Sequence, residues 1–160
     1  VVSSFYSGIT AAEQQILTDV RDHEVIHRDF FKSALGASAV ATLQFNFSSV
    51  TFSDRTSVLT TAKTFEDLGV SAYNGAGPLI QDVKYLLAAG KIVSVEARHA
   101  AVIRDLLAPK SPSTGFTGDG VSTANGLEGA KVPSTVLAAS GSYVTAHTNA
   151  PNLPLTGTRS

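Results

Sequence analysis

Two short motifs pair a carboxylate with an imidazole at helical spacing: Glu24-Val25-Ile26-His27 and Glu96-Ala97-Arg98-His99. Residues three apart project from one face of an α-helix, so each motif can aim both side chains at a single point. Carboxylate plus imidazole is a donor set suited to iron or manganese. Stepping through the flanking sequence by threes and fours puts both motifs on apolar lines. The first line runs Leu17, Val20, Glu24, His27, Phe31, Ala34, and the last runs Tyr85, Ala89, Ile92, Glu96, His99, Ile103, Leu106. A line between them, Leu59, Ala62, Glu66, Gly69, Tyr73, carries one further glutamate. A buried carboxylate is costly unless it is paired or metal-bound, and three facing one another cost more. A pair of divalent cations would neutralise them. The bland alternative is a bundle that keeps these residues in hydrogen bonds and binds nothing.

The elements that must position these residues are long helices. Thr10 with Glu13 three residues on forms a capping box, and the helical pattern continues to Leu35 before Gly36 stops it. That is roughly 25 residues, or ~37 Å. Residues 37–52 lack helical period, and their β-branched and aromatic content predicts an extended connection. Ser53 is the expected cap of a second helix reaching about Tyr73, which the Gly75-Ala76-Gly77-Pro78 run ends or kinks. A third helix starts near Gln81 or Asp82 and runs to Leu107, with Gly90 inside it. From residue 109 onward Ser, Thr, Gly, Pro and Asn dominate, predicting a loop-rich extension with one short helix at 134–143. The expected organisation is an all-α bundle over 1–108 followed by this extension over 109–160.

Composition narrows the function classes. The 160 residues carry 12 Lys plus Arg against 13 Asp plus Glu, for a net charge of −1. A near-neutral surface argues against nucleic acid as a partner. No apolar run approaches the ~18–20 residues of a membrane span. Cysteine is absent, which excludes disulfides, thiolate metal sites and cysteine nucleophiles. The sequence begins at Val1 rather than Met, so the expectation is that it starts after processing or is a fragment. Low charge with abundant Ser, Thr, Gly and Ala points to an exported, periplasmic or extracellular, protein.

The stretches DVRDHEVIHRDFFKSALG, TFEDLGVSAYNGAGPLI and VSVEARHAAVIRDLL together resemble the exported bacterial ferritin-like domain family, which is related to plant desiccation-related proteins. The resemblance covers about residues 11–108. It implies a four-helix bundle of two helix pairs, each giving a Glu from its first helix and Glu-x-x-His from its second. By that pattern Glu66, Glu96 and His99 serve one pair, and Glu24 and His27 the other. The resemblance implies that Glu24 and Glu96 bridge two iron or manganese ions, with His27, His99 and Glu66 as terminal ligands. Glu66 precedes Glu96 by 30 residues, and the same step back from Glu24 falls before Val1. The expectation is therefore that three of the four long helices are present. The first helix and its ligand would lie outside this sequence, or another subunit would cover the open side.

The function implied is metal binding, with ferroxidase-like oxidation of Fe(II). The competing reading is a non-catalytic exported structural or stress-protective protein in a homo-oligomeric surface assembly. Other polar residues are expected in lesser roles. His23 and Asp22 read as surface residues or as supports behind the ligands, Asp67 as a support for a ligand histidine or a solvent-facing group, and Tyr73 as seam packing or a group that is redox-active or bonded to a ligand. Arg98 reads as a salt-bridge residue, Glu13 as part of the helix cap, and His147 as a tail residue without a role. Asn46-Phe47-Ser48 fits a glycosylation acceptor, and Gly118-Asp119-Gly120 reads as a turn. No Gly-x-Ser-x-Gly elbow is present.

Overall fold

The structure is a computed structural model that describes residues 4–111, 115 and 125–145. Its three long helices are α1 (Ala11–Leu35), α2 (Arg55–Ala76) and α3 (Val83–Leu107), and a short α4 covers Pro133–Ser140. No strand forms among the described residues, so the architecture is all-α as expected. No helix among them is long and apolar enough to cross a membrane.

The helix ends follow local chemistry. The Thr10 hydroxyl accepts from the Glu13 backbone N–H at 3.2 Å, and Gly36 ends α1 with φ of 53°, a conformation that favours glycine. At α2 the cap is Asp54, not Ser53. Its carboxylate accepts from the backbone N–H groups of Thr56 and Ser57, so it satisfies two orphan donors where a serine would satisfy one. Helix α2 continues past Tyr73 to Ala76, and Gly77–Leu79 forms a single 3₁₀ turn around Pro78. Asp82 caps α3, which passes through Gly90 without a break.

The core lies between α2 and α3. Leu59 and Ile103 are each 1 % exposed, with Leu68, Ala89, Ile92 and Ala100 around them. Helix α1 has no fully buried residue; Leu17, Val20, His27 and Phe31 are half-buried along its seam. One end of the bundle is tied by Arg55, whose Nε donates to Glu13 at 2.7 Å and whose Nη2 donates to the Leu106 carbonyl at 2.9 Å. The Glu13 side chain thus joins α1 to α2 and α3 instead of closing the capping box.

The segment after the bundle returns onto α2. Lys131 N–H donates to the Ser71 carbonyl at 2.9 Å, and Asn74 donates to the Gly129 carbonyl at 3.1 Å. Gly75 permits this approach, since a Cβ there would stand 1.9 Å from the Lys131 oxygen. The α1–α2 connection, expected to be extended, opens on a 3₁₀ turn at Gly36–Ser38 and forms one antiparallel bridge, Phe45 with Val144. Phe47, Phe52, Phe65 and Tyr143 close a small aromatic cluster around that bridge, with Phe65 and Tyr143 centroids 4.9 Å apart. Helix α4 starts one residue before its expected position and ends three before.

Candidate metal centre

The three seams meet at mid-bundle. Helix α1 brings Glu24 and His27, α2 brings Glu66, and α3 brings Glu96 and His99. Donor atoms of Glu24, Glu66, Glu96 and His99 all lie within 4.8 Å of one another, close enough to hold a metal ion. His99 Nδ1 stands 3.1 Å from Glu24, 3.3 Å from Glu96 and 3.6 Å from Glu66. His27 lies outside that tightest group but adjoins it, its Nδ1 3.1 Å from Glu96 and 3.6 Å from Glu24. Glu96 offers Oε1 towards His27 and Oε2 towards His99, so its two oxygens span the cluster. Glu24 reaches both imidazoles as well.

Burial is uneven across the cluster. The side chains of His99 and Glu96 are 5 % and 8 % exposed, whereas that of Glu24 is 46 % exposed. The α2–α3 side is therefore closed and the α1 side is open to water. Charge follows from this. Burial pushes the Glu66 carboxyl above its ordinary range, and the His99 imidazole 3.1 Å away holds Glu24 below it. Burial opposes a charge on His99, but Glu24, Glu66 and Glu96 outweigh it and push its pKa up to about 11. None of these contacts at His99 Nδ1 has hydrogen-bond alignment, so the attraction is one of charge rather than of directed bonds.

The donor atoms fit a cation. His27 Nδ1 and His99 Nδ1 are buried without a hydrogen-bond partner among the described residues. Buried polar atoms are nearly always satisfied, and a metal is one of the groups that satisfies such a nitrogen. Both nitrogens adjoin shared carboxylates, and hard oxygen with imidazole nitrogen is a set that iron and manganese accept.

The residues around the cluster depart from their sequence reading in several places. His23, read as a surface residue or a support behind the ligands, is both exposed and in contact with a ligand: its Nδ1 meets His99 Nε2 at 2.9 Å. A signal was present in the sequence, because His23 and His27 stand four apart and share one helix face. Asp67 supports no histidine. It pairs with Arg104, a buried cation whose charge would otherwise be unmatched beneath the centre. Arg98 is exposed and makes no ion pair with any described residue, in place of the expected salt bridge. Tyr73 packs in the seam as expected, its ring 6.5 Å from Phe31, and burial with the nearby Glu96 and Glu24 charges pushes its hydroxyl far above its ordinary pKa. His147 and the 118–120 turn lie outside the described residues.

Searches of curated proteins and of solved structures gave no match. The family comparison did: the ferritin-like domain profile matches residues 3–109, which is well over half of the chain and takes in all three long helices and every residue of the cluster. The chain belongs to the ferritin-like domain family.

Proposed function

We propose that this chain binds iron or manganese at a dinuclear centre made by Glu24, His27, Glu66, Glu96 and His99. The observation that carries the reading is the pair of buried, unbonded Nδ1 atoms on His27 and His99, each beside carboxylates that reach both. In this reading Glu24 and Glu96, whose oxygens reach both imidazoles, would hold the metals together with His27, His99 and Glu66. Paired iron would supply one-electron chemistry, the oxidation of Fe(II) by dioxygen or peroxide. The protein's own part is to gather three carboxylates at one point, to keep water from the α2–α3 side, and to leave the half-exposed Glu24 as the side of entry.

The reading is tested by elemental mass spectrometry on protein purified without chelator. About two iron or manganese atoms per chain are expected, and Glu24→Ala with Glu96→Ala removes them. A wild-type chain that takes up neither metal on reconstitution refutes it.

A second reading rests on a different observation. Ile26 and Phe30 of α1 and Leu87 of α3 are exposed, and with His27 and Ile92 they line a groove of about 470 Å³ between the two helices. Exposed apolar surface of this kind supports a helical segment or a second copy covering the face. A structural or stress-protective role in such an assembly, and an exported location, belong to this reading and rest on composition and family resemblance. The double variant separates the two, because it loses metal under the first and keeps its assembly under the second.

A further inference from the structure

We propose that His23 is a positioning residue for the metal centre, holding His99 in the orientation and tautomer that present Nδ1 to the metal. The inference rests on the metal-binding reading above and adds to it a residue outside the ligand set.

The geometry is specific. His23 Nδ1 and His99 Nε2 are 2.9 Å apart, the two ring planes differ by 14°, and the ring centroids are 5.2 Å apart. Face-to-face packing would not bring two nitrogens this close at that centroid distance. The rings meet edge to edge, nearly coplanar, with the nitrogens close to the line joining their centres. That is the arrangement in which one imidazole N–H points along the lone pair of the next.

The direction of the bond follows from the rest of the site. His99 Nδ1 faces Glu24, Glu96 and Glu66, and it must carry a lone pair to bind a cation there. A neutral His99 with a free Nδ1 carries its proton on Nε2. That proton is then donated to His23 Nδ1, and His23 keeps its own proton on Nε2. His23 is exposed, so water can satisfy that second N–H at little cost. Without an acceptor at Nε2, that N–H is left unmatched and the ring is free to turn Nδ1 away from the carboxylates that stand 3.1 Å, 3.3 Å and 3.6 Å from it.

A histidine suits this place better than a carboxylate. Metal-bound imidazoles most often donate to a carboxylate, a carbonyl or water. This cluster already gathers three glutamates, and a fourth negative group against His99 would raise the cost of the metal-free state. His23 accepts the bond without adding charge. Among the described residues no side chain plays this part for His27, so the two imidazoles are held unequally.

The test is a titration of metal-free protein with Co(II), read as affinity, stoichiometry and the visible absorption band of the bound ion. Four proteins are compared: wild type, His23→Phe, His23→Asn and His99→Ala, with the His23→Phe/His99→Ala double variant closing a cycle. His23→Phe is expected to weaken Co(II) binding by about 10–100-fold, and to alter the band, with stoichiometry unchanged. His23→Asn is expected to recover most of the affinity, since its side-chain oxygen takes the place of Nδ1 as acceptor. In the His99→Ala background His23→Phe is expected to cost nothing further, because His23 acts through His99. Unchanged affinity and band in His23→Phe overturns the inference. An equal loss in the His99→Ala background, or a loss of stoichiometry, also overturns it, by making His23 an independent element or a ligand itself. A wild-type chain that takes up no Co(II), Fe(II) or Mn(II) would instead overturn the metal reading, an outcome distinct from the failure of His23 alone.

Discussion

Metal uptake at this centre should release a proton from His99, and the size of the effect can be worked from the site. The three carboxylates around His99 push its pKa up to about 11. Between pH 6 and 8 the metal-free protein therefore holds His99 as the imidazolium. A coordinated imidazole must surrender the Nδ1 proton, so one proton leaves for each metal seated there. Apparent affinity then rises about tenfold per pH unit, about 100-fold or roughly 2.7 kcal/mol from pH 6 to pH 8. The raised pKa of Glu66 acts in the same direction at the acid end. The assay is calorimetric titration with Mn(II) in two buffers of different ionisation enthalpy, which counts protons directly. His99→Asn keeps a donor oxygen but has no proton to lose, and its count should fall by about one. Equal counts in the two proteins, or none in the wild type, would refute the reasoning. The sign for stability is the opposite. A raised imidazole pKa stabilises the metal-free fold fully below about 6.5, and that contribution is lost as pH climbs towards 11. Metal-free protein should therefore melt at progressively lower temperature across that window, while loaded protein should not follow that slope.

Three further perturbations probe the frame around the site. Leu59→Ala or Ile103→Ala, each at a side chain 1 % exposed, should cost about 2–5 kcal/mol in denaturant unfolding, with metal stoichiometry intact. Arg104→Ala strands the Asp67 carboxylate beneath the centre and should cost about 3–5 kcal/mol; Arg104→Met with Asp67→Leu should recover most of it. Gly75→Ala drives a Cβ into the Lys131 carbonyl, so residues 129–145 should lift from α2, seen as faster hydrogen exchange at the Lys131 N–H with α1 unaffected.

Much of the local structure was legible from residue order. The Thr10 cap and the Gly36 stop bound α1 because both act on the backbone of their own helix. The α2 cap was misplaced by one residue, since Ser53 and Asp54 are both acceptable caps and only the direction of the backbone selects between them. The apolar lines also placed Glu24, His27, Glu66, Glu96 and His99 on inward faces, and the structure gathers them at one level of the bundle. That convergence needs only the 3.6-residue period and helices of similar length laid side by side.

What residue order determined by itself is therefore the set of helices, their inward faces and the residue types that meet there. The tertiary structure decided the partners. His23 turns to His99, Asp67 to Arg104 and Glu13 to Arg55, and Lys131 lies against Gly75. Each of these residues stands at the edge of a helix face, or across a turn of chain, from its partner. Helical periodicity says which way such a side chain leaves its own helix. Which group it then meets depends on the rotation and crossing of the neighbouring helix, and packing between elements sets those quantities, not spacing within one.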